Sequence, residues 1–224
     1  MNLKKMTFDK KTHSVKTVYD MPDVMATLTM DYTFFSDGRI TVKEMLGTTD
    51  DAKVPNMMRF GVVMQLPYTM DRSEFYGRGP IENYSDRKYS QLLGIYQQTA
   101  DEQFYPYIRP QETGTKSDIR WWRQTDANGV GFKVCPRKGI ENWSGRATMY
   151  ASALHYDIEA LDDGDDKEQR HVPQIPRSRF TNLFLDDEHT GVGGINTWSP
   201  EAEALPPYRV RYDYKVFSFE LIPE

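Results

Sequence analysis

The stretch Val24-Met25-Ala26-Thr27-Leu28-Thr29-Met30-Asp31-Tyr32-Thr33-Phe34-Phe35 decides the fold class. Ala26, Leu28, Met30, Tyr32 and Phe34 fall on one face, and Thr27, Thr29, Asp31 and Thr33 on the other. A two-residue period over this length means a half-buried β-strand. Ser36-Asp37-Gly38-Arg39 follows, and Asp-Gly signals a two-residue hairpin because glycine accepts positive φ. Ile40 to Gly47 is then the return strand. The same reading gives strands over Arg59 to Leu66 and Arg179 to Leu185, and a hairpin of Ile119 to Gln124 with Gly131 to Val134 across Asp126-Ala127-Asn128-Gly129. Tyr208 to Leu221 reads as a long last strand. Its apolar parity slips near Lys215 to Phe217, which means either a β-bulge there or a strand buried on both faces. Helical signal is poor: only Asp157 to Glu168 reads as a short helical or irregular segment, and its run Asp162-Asp163-Gly164-Asp165-Asp166 would break a helix. The fold class is all-β and antiparallel. One domain over residues 1–224 is expected, with residues 1–20 a loosely packed leading segment or the first edge strand.

Composition bounds the function. Of the 224 residues, 38% are hydrophobic and 13% aromatic, and mean hydropathy is -0.69. That is enough apolar material for a core, but apolar runs are too short for a membrane-spanning helix. Net charge is -5 with the basic residues scattered, which argues against a nucleic-acid partner. The single Cys135 excludes an internal disulfide and any CxxC metal or redox motif. Met1-Asn2-Leu3-Lys4-Lys5 lacks the apolar segment of a signal peptide, and Met1 is read as added to an excised fragment. The compartment stays open between bacterial cytoplasm and periplasm. His155, His171 and His189 show no zinc spacing, and His189 is expected on a hairpin turn. The run Asp162-Asp163-Gly164-Asp165-Asp166 misses the calcium-loop spacing and reads as a solvated turn. No metal site is expected.

Two loops look specified. Gly77-Arg78-Gly79-Pro80-Ile81-Glu82-Asn83-Tyr84-Ser85-Asp86-Arg87 packs glycines and a proline around polar residues. Gly191-Val192-Gly193-Gly194 leads into Thr197-Trp198-Ser199-Pro200. Together with Arg59-Phe60-Gly61-Val62-Val63-Met64-Gln65-Leu66, Glu74-Phe75-Tyr76-Gly77 and Tyr105-Pro106-Tyr107-Ile108-Arg109-Pro110-Gln111-Glu112-Thr113-Gly114, in this order, they resemble the C-terminal small-chain domain (domain 5) of family 2 β-galactosidases. The resemblance covers nearly the whole chain. It departs before Trp198, where Ile195-Asn196-Thr197 stands in place of the acidic residue often found there.

The resemblance implies a large antiparallel β supersandwich like that of galactose mutarotases. It implies a retaining β-galactosidase as parent, whose two glutamates sit in a (β/α)8 barrel that this chain lacks. No catalytic residue is therefore expected here. Trp198 is the expected substrate-binding residue, stacking on a galactose ring; its alternative is a loop anchor folded onto the sandwich. Gly79, Pro80, Glu82, Asn83, Tyr84, Asp86 and Arg87 are expected to build a structural turn, with Glu82 bonding backbone amides and Asp86 contacting Arg87 or Arg78. Expected partners are the other parental domains, above all the barrel, a galactoside substrate and a homo-oligomeric parent. That parent family commonly uses Mg2+ and Na+, with neither expected in this fragment. Trp121 and Trp122 should point to opposite faces of a strand, and Trp143 is a weaker carbohydrate candidate. Two other readings remain. An aldose 1-epimerase would need His155 or His171 with a carboxylate. A freestanding carbohydrate-binding module would need sugar affinity of its own.

Overall fold

A computed structural model describes residues 1–49, 53–137, 145, 147–162, 170–194 and 202–224. Trp198, Trp143 and Asp163-Gly164-Asp165-Asp166 lie outside the described residues. Among the described residues thirteen strands form two antiparallel sheets. The nine-stranded sheet contains β1 (Asn2–Asp9), β2 (Ser14–Met21), β3 (Ala26–Phe34), β4 (Ile40–Thr48), β6 (Arg72–Gly79), β7 (Leu92–Thr99), β9 (Trp121–Thr125), β10 (Gly131–Pro136) and β13 (Lys215–Pro223). Its order is β1-β2-β3-β4-β13-β10-β9-β6-β7. The four-stranded sheet, in the order β5-β12-β11-β8, contains β5 (Arg59–Pro67), β8 (Lys116–Ile119), β11 (Met149–Leu154) and β12 (Phe180–His189). The expected all-β antiparallel sandwich is the observed one.

The alternation in β3 does what its pattern dictates. Leu28, Met30 and Tyr32 pair with Leu46, Glu44 and Val42 of β4, which pair in turn with Lys215, Phe217 and Phe219 of β13. Directly paired residues share a face, so these form inward-facing rows. Val42, Leu46, Phe217 and Phe219 are buried with Leu183, Leu185 and Phe60 of the smaller sheet in one core. At the other end of the large sheet Phe75 of β6 and Trp122 of β9 pair in register. Both are fully buried and stack at 4.9 Å. The Trp122 indole Nε1 donates to Gln124 Oε1, satisfying its one polar atom. Trp121 faces the other way, under the Lys133 ammonium.

Three local readings change. Asp37-Gly38 turns the chain, but Phe35 and Arg39 are the paired residues and Gly38 N donates to Phe35 O. Only Gly38 has positive φ (85°), so the loop is a type I turn closed by a left-handed glycine, longer than two residues. The last strand begins at Lys215, not Tyr208. Tyr208 ends a 3-10 turn over Pro206–Tyr208, and Val210 makes one isolated bridge to Met57. Register with β4 is unbroken from Lys215 to Leu221, so the parity slip marks a loop-to-strand boundary rather than a bulge. Lys215 to Phe219 are buried on both faces. The short helix α1 (Ala100–Gln103), absent from the sequence reading, is started by a capping box of Thr99 and Glu102. The second, α2 (Ile158–Leu161), lies in the segment read as short helical or irregular.

Lys215 and Glu44 show that the interior between the sheets carries charge. Lys215 Nζ lies 2.7 Å from Glu188 Oε2 and from Asp213 Oδ1. Among the described residues Glu44 has no such cation. Burial, then the Asp186 and Asp187 charges, push its carboxyl from the ordinary 4.5 up to about 8. A raised folded-state value makes the folded protein hold this proton longer than the unfolded chain, so stability is lost as pH rises from about 4.5 toward 8. Glu44→Gln should therefore stabilise the protein at pH 8.5 by roughly 3 kcal/mol and much less at pH 5. Thermal denaturation at the two pH values reads the difference, and an equal change at both would remove ionisation as the cause.

Candidate functional site

A cavity of about 760 Å³ opens where the end of β12 meets the two specified loops. Its walls are strand ends, strand-flanking loops and, from α2 and its end, Ile158 and Asp162. Arg59 starts β5 and His189 ends β12, and the two residues pair across the sheet. The turn that follows β6 brings Glu82, Tyr84 and Arg87. The segment between α1 and β8 brings Tyr107 and Glu112. Thr190, Gly191 and Val192 close the rim beyond β12.

One ion network lies beneath this cavity. Arg59 Nη2 is 2.6 Å from Glu112 Oε2, and its Nη1 lies 3.7 Å from Asp186. Arg59 Nη2 also lies 2.8 Å from His189 Nε2, while His189 Nδ1 is 2.7 Å from the Thr190 carbonyl. A guanidinium only donates and a carbonyl only accepts. The imidazole proton is thereby assigned to Nδ1, with Nε2 accepting from Arg59. Tyr84 and Thr115 hydroxyls donate to Glu112 Oε1. Burial opposes the Glu112 charge, but the Arg59 guanidinium, with the Thr115 hydroxyl, outweighs it and holds the carboxyl well below the usual carboxylate range. Glu112 is thus a fixed anion.

A second network holds the turn. The Glu82 carboxylate accepts from the Gly114 amide at 2.7 Å and from Thr113 Oγ1 at 3.3 Å on one oxygen. On the other it accepts from Arg87 Nη2 at 2.7 Å and from the Tyr107 hydroxyl. Asn83 is fully buried. Its amide donates to the Arg78 and Ile81 carbonyls, and its oxygen accepts from Ser117 N and Oγ. Every polar atom of this side chain is engaged in turning the chain through the cis bond at Gly79-Pro80.

Asp86 differs from expectation. It contacts neither Arg87, which pairs with Glu82, nor Arg78, which pairs with Asp118. Its Oδ2 accepts from Gly193 N at 2.8 Å and its Oδ1 from Val192 N at 3.3 Å. A Cβ on Gly191 would lie 2.5 Å from this carboxylate, so glycine is required for the approach. One side chain of the first specified loop therefore fastens the backbone of the second. Gly191 N also donates to Tyr208 O at 2.8 Å.

His189 is not on a hairpin turn; it ends a ten-residue strand and is buried. Asp186-Asp187-Glu188-His189-Thr190-Gly191 reads as a turn because it is polar, but Asp186 and His189 meet Arg59, and Glu188 meets Lys215. In the sequence Arg59, Tyr107 and Glu112 stand out only as parts of longer segments. The sequence carries no local sign that Arg59 and Glu112, distant in the chain, pair. His155 is buried and stacked on Tyr68 at 3.8 Å, and His171 Nδ1 lies 3.0 Å from the Ile108 carbonyl. Among the described residues neither is bonded to a carboxylate of the kind an epimerase pairs with its histidine. Among the described residues no three His, Cys, Asp or Glu side chains are grouped to hold a metal ion. Glu82 and Glu112 are each neutralised by a guanidinium, a donor set that does not fit Mg2+.

Residues 1–221 match the family described as β-galactosidase small chain. The β-galactosidase of Priestia megaterium is 30% identical over 184 residues, 82% of this chain and 16% of that protein. The β-galactosidase BgaC of Bifidobacterium adolescentis is 31% identical over 85% of this chain and 18% of its own length. The β-galactosidase of Lactobacillus delbrueckii subsp. bulgaricus is 31% identical over 88% and 18%. The chain thus spans less than a fifth of the relatives it matches, and belongs to the β-galactosidase small-chain family.

Proposed function

We propose that this chain is the terminal domain of a retaining β-galactosidase, that it contributes Trp198 to the galactose subsite, and that the groups breaking the glycosidic bond belong to a barrel outside it. The carrying observation is the Asp86 carboxylate on the Val192 and Gly193 amides. It puts the Glu82-to-Arg87 turn and the segment that leads to Trp198 on the rim of one cavity. The relatives' names and their much greater length support the reading. A core drawing on both sheets supports taking residues 1–224 as one domain.

The division of labour follows from the carboxylates. A retaining glycosidase needs one carboxylate free to attack the sugar and one able to give and take a proton. Glu82 accepts from Arg87, Tyr107, Thr113 and Gly114, and Glu112 is a fixed anion under Arg59. Gly79, Pro80, Glu82, Asn83, Tyr84, Asp86 and Arg87 then serve to shape the rim. A Trp ring adds about 1 kcal/mol through stacking. Alone this binds sugar at best weakly, so the barrel must supply the hydroxyl contacts and the chemistry. Mg2+ and Na+, if the parent uses them, belong to residues outside this chain.

The chain alone should hydrolyse no chromogenic β-galactoside, and turnover by pure protein that Glu82→Gln abolishes would contradict the assignment. Glu82→Ala leaves the Gly114 amide and Arg87 without their acceptor, which costs roughly 1–3 kcal/mol; the melting temperature should fall accordingly. An unchanged melting temperature with lost parental activity would make Glu82 a substrate-contacting group.

In the parent enzyme Trp198→Ala should raise KM and lower kcat/KM by about tenfold, the loss of roughly 1.4 kcal/mol. Asp86→Ala should reproduce the direction of this effect with the Trp198 ring intact, and Asp86→Asn, which keeps an acceptor, should recover part of it. If Trp198→Ala instead unfolds this chain and spares the parent's kinetics, Trp198 is an anchor.

A further inference from the structure

The inward-facing rows of the large sheet do not stop where the small sheet stops. Following paired residues outward from β13, one row runs Phe219, Val42, Tyr32, Val15, Phe8, and the next Phe217, Glu44, Met30, Thr17, Met6. The third runs Lys215, Leu46, Leu28, Tyr19, Leu3. The inner residues are core: Phe219 is 1% exposed and Val42 4%. The outer ends are bare, with Phe8 60%, Met6 65% and Leu3 56% exposed. Tyr212, whose hydroxyl donates to Val24 O, covers part of the face near β3, but every residue of β1 is exposed.

The pattern of β1 is that of a strand with one face buried. Leu3, Met6 and Phe8 stand on the core-facing side, and Asn2, Lys5, Thr7 and Asp9 on the other, with the bulge between Leu3 and Lys5 keeping the apolar set in phase. Strands exposed on both faces do not need such segregation. A contiguous exposed apolar face on a soluble protein marks a contact surface.

We infer that the overhanging inner face of β1, formed by Leu3, Met6 and Phe8, is the docking surface for the rest of the β-galactosidase polypeptide, an apolar surface outside the matched segment. This rests on the proposed parent. The length of that parent argues for the occupant: more than four-fifths of each relative lies outside the part that resembles this chain.

The test uses the Lactobacillus delbrueckii subsp. bulgaricus β-galactosidase with its matching segment deleted, and measures its binding to this chain. The wild-type chain should bind. Met6→Ser/Phe8→Ser should bind about tenfold or more weakly, with its thermal unfolding unchanged because these side chains touch little in the isolated chain. Lys5→Ala/Thr7→Ala, on the opposite face, should bind as wild type. Should the double serine variant fold poorly, alkylation of Met6→Cys in a Cys135→Ser background gives a second reading, and the partner should slow it about tenfold. Equal binding by wild type and the serine variant, or alkylation of the Met6→Cys variant at an undiminished rate in the complex, overturns this surface and leaves the parental reading standing. Failure of the wild-type chain to bind overturns both. A wild-type chain that dimerises alone, and that Met6→Ser/Phe8→Ser makes monomeric, gives the face to a second copy and overturns the inference.

Discussion

A nine-stranded sheet packed against a four-stranded one cannot be covered evenly, and the rest of the structure follows from that mismatch. Sandwich cores form only where two inner faces oppose each other. Here the small sheet lies against the middle strands, so Val42, Leu46, Phe217 and Phe219 disappear while the same rows surface at β1. Loops have to supply the missing cover. The segment before β13, with Tyr212 packed on the core, does this on one side. On the other, the turn after β6 and the chain between α1 and β8 wrap the end of the small sheet and leave the cavity between them.

Loops used as cover bring polar backbone inside, and this explains why so many charged side chains are buried. A buried amide or carbonyl without a partner is destabilising. Asn83 commits its whole side chain to three backbone groups and one hydroxyl. Glu82 meets the Gly114 amide, and Arg87 then meets Glu82. Arg59 gathers Glu112, Asp186 and His189. Such sets do not add much stability over apolar packing, but removing any one member alone is strongly destabilising. They fix one geometry for the cavity rim. Glu44 is the exception among them, and burial first, then the Asp186 and Asp187 charges, keep its proton on.

The same networks separate shape from chemistry. The cavity is lined by three carboxylates (Glu82, Glu112 and Asp162), a histidine and several tyrosine and arginine side chains, an inventory that resembles a hydrolytic site. Three of these groups are already occupied: Glu82 and Glu112 by guanidinium groups, and His189 by Arg59 on one nitrogen and Thr190 on the other. What remains for a ligand is a preformed polar rim, joined through Asp86 to the glycines that precede Trp198. On the proposed function such a domain shapes a site whose reacting groups lie elsewhere; the chain matches under a fifth of each relative.

The sequence by itself determined the all-β class, the hairpins at Asp37-Gly38 and Asp126 to Gly129, the opposed Trp121 and Trp122, and the family. These are local signals: a two-residue period, a residue that accepts positive φ, and ordered motifs. It also marked the Glu82 and Trp198 loops as specified, because glycines and proline around polar residues have few other uses. Tertiary structure alone decided who their partners are. Asp86 reaches Val192 and Gly193, more than a hundred residues away, and nothing near Asp86 in the chain distinguishes that bond from the nearer Arg87 or Arg78. Asp186 to His189 reads as a turn and is a buried strand end, because polarity in sequence does not reveal the cation that will meet it. Tyr208 to Leu221 reads as one strand because alternation continues through a loop whose Val210 and Tyr212 also face the core. Local pattern fixes which face a residue wants to hide; only the completed packing of two unequal sheets fixes what hides it.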